Sequence, residues 1–330
     1  MNIQTVTHNG ISFLNIHNPQ ELEIKFLRKN YGFNPLNLED YLNKTQVPKI
    51  EIYKGYTHIV LDFPSFDQNG TQKSSDTKND LAQKLLAHFP STAQKKRVLT
   101  GHVAFFIGRD YLVVLHDEKT PQIDEIFALC QQALRNREDF MGEGSVFLFY
   151  RLADVLVDAT LAIVNDVSAT IDFIDRELAQ NRSPYVVEDI SVTRRNIVVF
   201  QTMIKPLLPI FTDLEKGVYK ELNSAMTPFW SNILDHLQKI WERLEDNKEL
   251  IIGISESNES LLTVKTSETI KILTIFSAIM LPLNLLASVY GMNVINLPFA
   301  QSPLGVAIIL FTMILISGIM LMIFKYRNWI

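Results

Sequence analysis

The sequence predicts an α+β domain that is followed by a long helical stalk and two transmembrane helices. Short apolar runs separated by turn residues occupy residues 1–140 and predict strands. Residues 141–269 carry apolar positions at helical spacing almost without interruption. No Asp, Glu, Lys, Arg or His occurs from Ile272 to Phe324, a stretch long enough for two membrane crossings.

The composition argues against several classes of protein. The chain has 330 residues, a formal net charge of -5 and one cysteine. Such a mildly acidic chain without a basic, aromatic-rich stripe is not expected to bind nucleic acid. The apolar helical pattern around Cys130 predicts a buried thiol. No paired catalytic groups stand out, so neither an enzyme nor a resident cofactor is expected.

Three β-hairpins and two helices are predicted in residues 1–140, which we interpret as a cytoplasmic α/β domain with a mixed or antiparallel sheet. The hairpin turns lie between apolar runs, at Asn9-Gly10, Lys54-Gly55 and Gly108-Arg109-Asp110. One helix is predicted over residues 20–30 and another from Pro121 to about Arg137. The polar stretch 67–78 is predicted to be a mobile excursion at a hairpin tip.

Residues 141–226 are predicted to form antiparallel cytoplasmic helices, and residues 227–269 a stalk helix that continues into the membrane. The stalk helix begins near Thr227, followed by Pro228 at a position that suits proline. Its apolar residues alternate spacings of three and four from Trp230 to Leu261, with Asn247 and Asn258 on the seam. The seam fits an intramolecular bundle and an oligomeric stalk equally well. In a stalk, the two asparagines would fix register and oligomeric state.

Residues 270–290 and 304–324 are predicted to span the membrane, joined by the uncharged loop 291–303. Lys265 and Lys271 precede the pair of spans, and the basic tail 325–330 follows it. By the positive-inside rule, both ends of the chain face the cytoplasm and the loop lies outside. The sequence therefore predicts a multi-pass protein of the cell membrane.

The first span has a polar face within its apolar sequence. The residues on this face are Thr274, Ser277, Leu281, Asn284 and Ser288. Polar residues inside a span face either a water path or a bundle interior. The alternative is that Ser and Thr bond back to their own helix while Asn284 joins two helices. Two spans cannot enclose a channel, so a water path would require several copies around one axis.

The end of the first span carries a family resemblance. It reads Tyr290-Gly291-Met292-Asn293. A Gly-Met-Asn triplet there, a long preceding helix and a basic carboxy-terminal tail together resemble the CorA-type magnesium channel family. The similarity extends through Phe229–His236 and Lys271–Leu283.

The resemblance implies a homopentameric, funnel-shaped channel that takes up magnesium, with cobalt or nickel as further ions. Its partners would be copies of itself, the lipid bilayer and divalent cations. The first span would line the pore, with Asn293 holding a hydrated ion beside Gly291 and Met292. Further pore positions would be the polar rings and the hydrophobic constriction formed by Thr274, Ser277, Asn284, Ser288 and Leu281.

Two features depart from the family pattern. Residues 294–302 contain no acid, whereas many relatives have acidic residues there. Asn232 stands where many relatives have an acidic ligand of a regulatory magnesium site, which leaves Asp235, one turn on, as the candidate ligand. A related branch that carries zinc, with protons, also has an acid-poor loop, so zinc is the alternative ion.

Other charged groups suggest weaker hypotheses. Asp172, Asp175 and Glu177 form either a cation-attracting rim or a solvated helix end. The seven histidines show no HxxxH or HxH spacing, so a dedicated histidine zinc site is not expected. A membrane-anchored sensor or scaffold is the alternative from another functional class. Such a tether would need neither the polar face nor Asn293.

Overall fold

The computed structural model describes residues 2–43, 47–66, 98–180, 186–222, 225–292, 303–327 and 329. The chain divides into two compact units, Met1–Ser255 and Glu256–Ile330. The polar stretch 67–78, the helix interruption at 181–184, and Asn293 with most of the loop after it lie outside the described residues.

A mixed six-stranded sheet organises the first unit. Its strands are β1 (Ile3–His8), β2 (Ile11–His17), β3 (Lys49–Tyr53), β4 (Tyr56–Phe66), β5 (Val98–Gly108) and β6 (Tyr111–His116). Their order is β1-β2-β6-β5-β4-β3, and only the β2–β6 pair is parallel among the strands described. The three predicted hairpins, β1–β2, β3–β4 and β5–β6, are confirmed.

Eight α-helices are described besides these strands. Their bounds are α1 (Glu21–Tyr31), α2 (Pro35–Asn43), α3 (Pro121–Gln132), α4 (Leu134–Met141), α5 (Ser145–Ala179), α6 (Val186–Glu215), α7 (Thr227–Tyr290) and α8 (Pro303–Tyr326). A short 3-10 helix covers Lys220–Leu222. The predicted helix over residues 20–30 is confirmed as α1.

Alternation along the central strands creates two cores, one on each face of the sheet. On β5, Phe105 and Ile107 belong to the core that includes α3, α5 and α6, whereas Ala104 and Phe106 belong to the core under α1 and α2. All four are buried. Because successive strand residues point to opposite faces, a strand covered on both sides is apolar throughout.

The predicted helix from Pro121 to about Arg137 is in fact two helices, which are separated at Ala133. Helix α3 ends at Gln132, and Ala133 is extended, with φ -138° and ψ 139°. Arg137 donates to the carbonyl oxygens of Cys130 and Gln131 at 2.6 and 2.9 Å. The last carbonyls of a helix lack intrahelical partners, so the Arg137 side chain ends α3 instead of extending it.

The seam of α7 is used inside the protomer as far as Ile254. Its apolar residues from Trp230 to Ile254 are buried in the same core as α5 and α6. Asn247 is 3% exposed, and its amide exchanges hydrogen bonds with the Ser168 hydroxyl of α5 at 2.9 and 3.1 Å. Over these residues the intramolecular bundle is the correct interpretation. Asn247 therefore does not fix an oligomeric register. Beyond them, Leu261 is exposed.

Three described helices are long and apolar enough to cross a membrane: α6, α7 and α8. The apolar window of α6 is 44% buried, and its inward residues belong to the core of the first unit. The windows of α7 and α8 are 0% buried, with mean hydropathies of 2.1 and 2.8. The two helices that the sequence predicts as spans are therefore the ones whose apolar surface the chain leaves exposed.

A buried polar cluster lies beneath α2. His58 on β4 is fully buried, and its ring stacks on Phe106 with the centroids 4.5 Å apart. Its Nδ1 lies 2.9 Å from the Asn37 amide nitrogen and 3.4 Å from a carboxylate oxygen of Glu51. Burial lowers the pKa of His58 to about 4, although the carboxylate of Glu51 opposes this shift. The imidazole is therefore neutral at neutral pH.

Replacing His58 by phenylalanine is expected to reduce the loss of stability in mild acid. The unfolded imidazole takes up a proton below about pH 6.5, whereas the folded one resists protonation down to about pH 4. The unfolded state therefore binds more protons, and stability falls as the pH drops. From about pH 7 to about pH 5 this group alone should cost roughly 2 kcal/mol.

Thermal unfolding of the full-length chain in detergent at those two pH values measures the effect. Burial would raise the pKa of Glu51, but hydrogen bonds from Lys49 and His58 outweigh burial and lower it to about 2. Glu51 therefore stays ionised across this window. An equal acid loss in wild type and His58→Phe would contradict the assignment.

Candidate functional site: the polar face of α7

The predicted polar face of α7 is exposed within this chain. Thr274, Ser277, Leu281, Asn284 and Ser288 are all exposed, Leu281 at 70%. Their spacings of three and four residues place them on one side of a continuous helix. The protomer therefore does not use these side chains for its own packing.

The opposite side of the same helical segment is partly covered. The half-buried residues follow a second stripe, which comprises Ile275, Ala278, Ile279, Pro282, Leu283, Leu286 and Tyr290. A half-buried stripe also runs along α8, from Ile309 through Met313, Ile316 and Met320 to Phe324. The chain thus covers one apolar stripe on each span and leaves the polar face of α7 for something outside the protomer.

Asn284 constrains what that outside partner is. A primary amide has two N–H donors and a carbonyl acceptor, and hydrocarbon offers none of the matching groups. The hydroxyl of Thr274, by contrast, donates to the carbonyl oxygen of Ile270 at 2.7 Å, so this residue satisfies itself along the helix. The alternative in which Ser and Thr bond back to the helix thus holds for Thr274. Asn284 still requires water or another polar chain.

Helix α7 ends at Tyr290. The Gly291 amide donates to the Ala287 carbonyl at 2.9 Å, and a Cβ on Gly291 would lie 3.0 Å from that oxygen. Gly291 does not have a positive φ. Its role is therefore close approach to the preceding turn and not a left-handed turn. Met292 is 56% exposed, and Asn293 lies outside the described residues.

The start of α7 carries a polar cluster that the sequence only partly indicated. Asp235 is exposed. The Asn232 amide donates to Asp154 of α5 at 3.3 Å, and His236 Nδ1 lies 3.2 Å from a carboxylate oxygen of Asp158. Burial raises the pKa of Asp154, and the neighbouring charge of Asp158 raises it further. Two acids of this cluster, Asp154 and Asp158, thus come from α5, whereas the sequence indicated only Asp235 on α7.

The predicted acidic rim lies on the last turns of α5. Asp172 and Asp175 are exposed, and Glu177 is half-buried. They follow Ile171 and Ile174, which are buried on the other side of the helix. This arrangement is compatible with a solvated helix end and with a rim, so the rim stays a prediction.

The structure brings together one set of possible ligands that spacing along the chain did not reveal. His17, His116 and Asp124 place one ligand atom each within 4.8 Å of one another. The two histidines are 99 positions apart, so no local motif joins them. Each histidine ends a strand of the structure, and parallel pairing of β2 and β6 aligns the two ends. The sequence predicted the strand that ends at His116, but its predicted strand at residues 11–13 stopped short of His17.

Comparison with known proteins agrees with this arrangement of elements. Residues 8–326 match a family model described as CorA-like Mg2+ transporter protein. The cobalt/magnesium transport protein CorA of Thermotoga maritima is 27% identical over 301 residues, which cover 91% of this chain and 78% of that protein.

Two solved structures show the same fold. The complete CorA magnesium transporter of Methanocaldococcus jannaschii has a TM-score of 0.77 at 17% identity, covering 98% of this chain and 94% of that one. The ZntB cytoplasmic domain of Vibrio parahaemolyticus has a TM-score of 0.54 at 8% identity, covering 77% and 88% of the two chains. The α+β domain, the long helix and the apolar carboxy-terminal helices are therefore shared features.

Proposed function

The chain belongs to the CorA-like Mg2+ transporter family, and from this premise we propose that it is a channel for hydrated divalent cations, magnesium first. The observation that carries the proposal is the exposed polar face of α7, centred on Asn284. Water along this face satisfies the amide and the serine hydroxyls, and it supplies a path for an ion.

A pore requires several copies, because one chain contributes only α7 and α8 to the membrane. We propose a homopentamer, the state implied by the family resemblance, with α7 around the axis and α8 outside. The mean hydropathy of α8, 2.8, supports contact with lipid. The basic residues that flank the two spans support cytoplasmic termini in the cell membrane.

The proposed selectivity rests on neutral oxygen atoms. Magnesium dehydrates reluctantly and keeps several of its waters in protein sites. A ring of Asn293 amides at the outer end of α7 orients those waters without the attraction of a carboxylate ring. Conduction requires that an ion both enter and leave. Leu281 is 70% exposed and lies near the middle of the predicted span 270–290. In the proposed pore, the copies of Leu281 form an apolar ring that interrupts the water column where the pore is narrow.

The membrane potential supplies the driving force for uptake. A doubly charged ion gains about 4.6 kcal/mol per 100 mV on moving inward across the membrane. No phosphate-binding glycine loop occurs in the sequence, so the proposal needs no coupled hydrolysis. Regulation by cytoplasmic magnesium would use Asp235 or the neighbouring Asp154 and Asp158.

Zinc transport, coupled to protons, is the second candidate. The observation that favours it is the absence of acids from residues 294–302. A tether without transport is disfavoured by the exposed amide of Asn284, which is costly in lipid and has no purpose in an anchor.

Replacing Asn293 by alanine is expected to abolish ion flux, because it removes the amide oxygen that orients the hydrated ion. The measurement is magnesium uptake by a host deficient in its own uptake systems, with assembly checked by size-exclusion chromatography. Asn30→Ala is the matched control, because Asn30 is an exposed asparagine of α1 in the first unit, and it should leave uptake unchanged. Normal uptake by assembled Asn293→Ala would count against the pore assignment.

Cysteine labelling tests the polar face directly. Ser277→Cys and Ser288→Cys should react with a membrane-impermeant thiol reagent at least about tenfold faster than Ile279→Cys, because thiolates form in water and not in hydrocarbon. The background is low, since Cys130 is fully buried and burial raises the pKa of its thiol to about 11. Faster labelling of Ile279→Cys would show that water reaches the opposite face of α7, which would contradict the proposed pore.

Uptake into liposomes distinguishes the two candidate ions. The channel proposal expects magnesium entry that responds to membrane potential and does not require a pH gradient. Cobalt, nickel and zinc serve as competing ions in the same preparation. Zinc entry that exceeds magnesium entry and depends on a pH gradient would establish the second candidate instead.

A further inference from the structure

Polar residues replace apolar ones at the ends of the two parallel strands β2 and β6. On β2, Phe13 is followed on the same face by Asn15 and His17; on β6, Val114 is followed by His116. His17 and His116 are direct partners in the parallel register. Their rings meet edge to face with centroids 5.0 Å apart. Helix α3 places Asp124 over this pair.

The carboxylate of Asp124 contacts all three strand residues. Its Oδ2 lies 2.8 Å from His17 Nδ1, and its Oδ1 lies 3.3 Å from His116 Nε2. Asn15 donates its amide hydrogen to Oδ1 at 2.7 Å, and the amide oxygen of Asn15 lies 2.9 Å from His116 Nε2. Two imidazoles, one carboxylate and one amide oxygen thus converge on one point.

His116 is held so that either ring nitrogen can carry the proton. Nε2 can donate to the Asn15 oxygen, or Nδ1 can donate to the Asp117 carbonyl oxygen at 3.3 Å. The second tautomer leaves the Nε2 lone pair free, which is the arrangement that metal-binding histidines adopt. Burial lowers the pKa of His116, so the surroundings disfavour the doubly protonated ring.

The cluster is open on one side. The side chains of His17 and Asp124 are 36% and 40% exposed, whereas that of His116 is fully buried. A recess of about 410 Å³ leads to them, lined also by Gln4, Phe127 and Gln131. An ion can reach the open ligands from solvent while the buried imidazole and the strand ends hold the geometry.

We propose that His17, His116 and Asp124 bind a divalent transition-metal ion, of the zinc, cobalt and nickel class, separately from the transport path. Nitrogen ligands favour these ions, whereas magnesium prefers oxygen. Ligand atoms around a tetrahedral zinc lie about 3.4 Å apart, given bonds of about 2.0–2.1 Å. The three donor atoms lie within 4.8 Å of one another, so small side-chain rotations suffice. The Asn15 oxygen is the candidate fourth protein ligand.

Such a site differs chemically from the pore. At this site, imidazole nitrogens replace water molecules in the coordination shell of the ion, whereas the conducted ion keeps its waters. The site also joins β2, β6 and α3, so binding of the ion stabilises the first unit by an amount that rises with the logarithm of the ion concentration once this exceeds Kd. Among the described residues no other group of three or more His, Cys, Asp or Glu side chains converges in this way.

The test is a cobalt titration of the purified full-length protein in detergent, after removal of any affinity tag. One Co²⁺ per chain should give a visible ligand-field absorption band typical of nitrogen ligands, and excess Mg²⁺ should not remove the band. His17→Ala and Asp124→Asn should each weaken Co²⁺ binding by at least about 100-fold. His8→Ala is the matched control, because His8 also pairs with a carboxylate, Glu138, at 2.7 Å.

These measurements distinguish a metal site from a hydrogen-bond network. Both variants change half-exposed side chains, and metal-free thermal unfolding near the wild-type temperature shows that they fold. A missing band in wild type, or an unchanged band in His17→Ala, would show that the cluster is only a hydrogen-bond network. Asn293→Ala should keep the band, and His17→Ala should keep magnesium uptake. A failure of this site therefore leaves the proposed channel untouched, and the reverse also holds.

Discussion

The amide of Asn284 inside an apolar span is the constraint on which the arrangement of the membrane unit depends. The chain covers the opposite stripe of α7 and leaves this side chain exposed. Lipid cannot satisfy an amide, so the protomer is incomplete in a membrane. A symmetric ring of copies around water satisfies the same amide in every copy at once, and it leaves the apolar surface of α8 for lipid.

The two units of the chain differ in whether their apolar surface is buried within the protomer. The first unit buries its seam on α7, from Trp230 to Ile254, against its own helices. Because these residues already pack inside the protomer, they cannot also contact neighbouring copies. In the proposed oligomer, contacts between copies would come from residues beyond Ser255 and from exposed faces of the first unit, such as the polar surface near Asp235.

Local patterns predicted the elements well, because hairpin turns and span length are properties of adjacent residues. The sequence predicted both the hairpin turn at Asn9-Gly10 and the end of α7 at Tyr290, and the structure confirms them. What failed depended on specific side-chain contacts that hydrophobic spacing does not reveal. The break at Ala133 depends on Arg137 capping the previous helix. The role of Asn247 depends on Ser168, 79 positions away. Of the candidate site, residue spacing placed the polar residues on one face of α7, but it did not indicate the acids of α5 near Asn232.

The two proposed sites suit two kinds of cation for different physical reasons. Amides and hydroxyls on a single helix face are offered to an ion that keeps its water shell, so they need only line a path. Ligands that replace water must converge from several directions within a few ångströms, which a single helix face does not provide. The parallel pairing of β2 and β6 provides it, since strand ends align His17 with His116 and α3 brings Asp124 across them. In these proposals, weak contact with a hydrated ion belongs to the helical unit, and direct coordination belongs to the sheet.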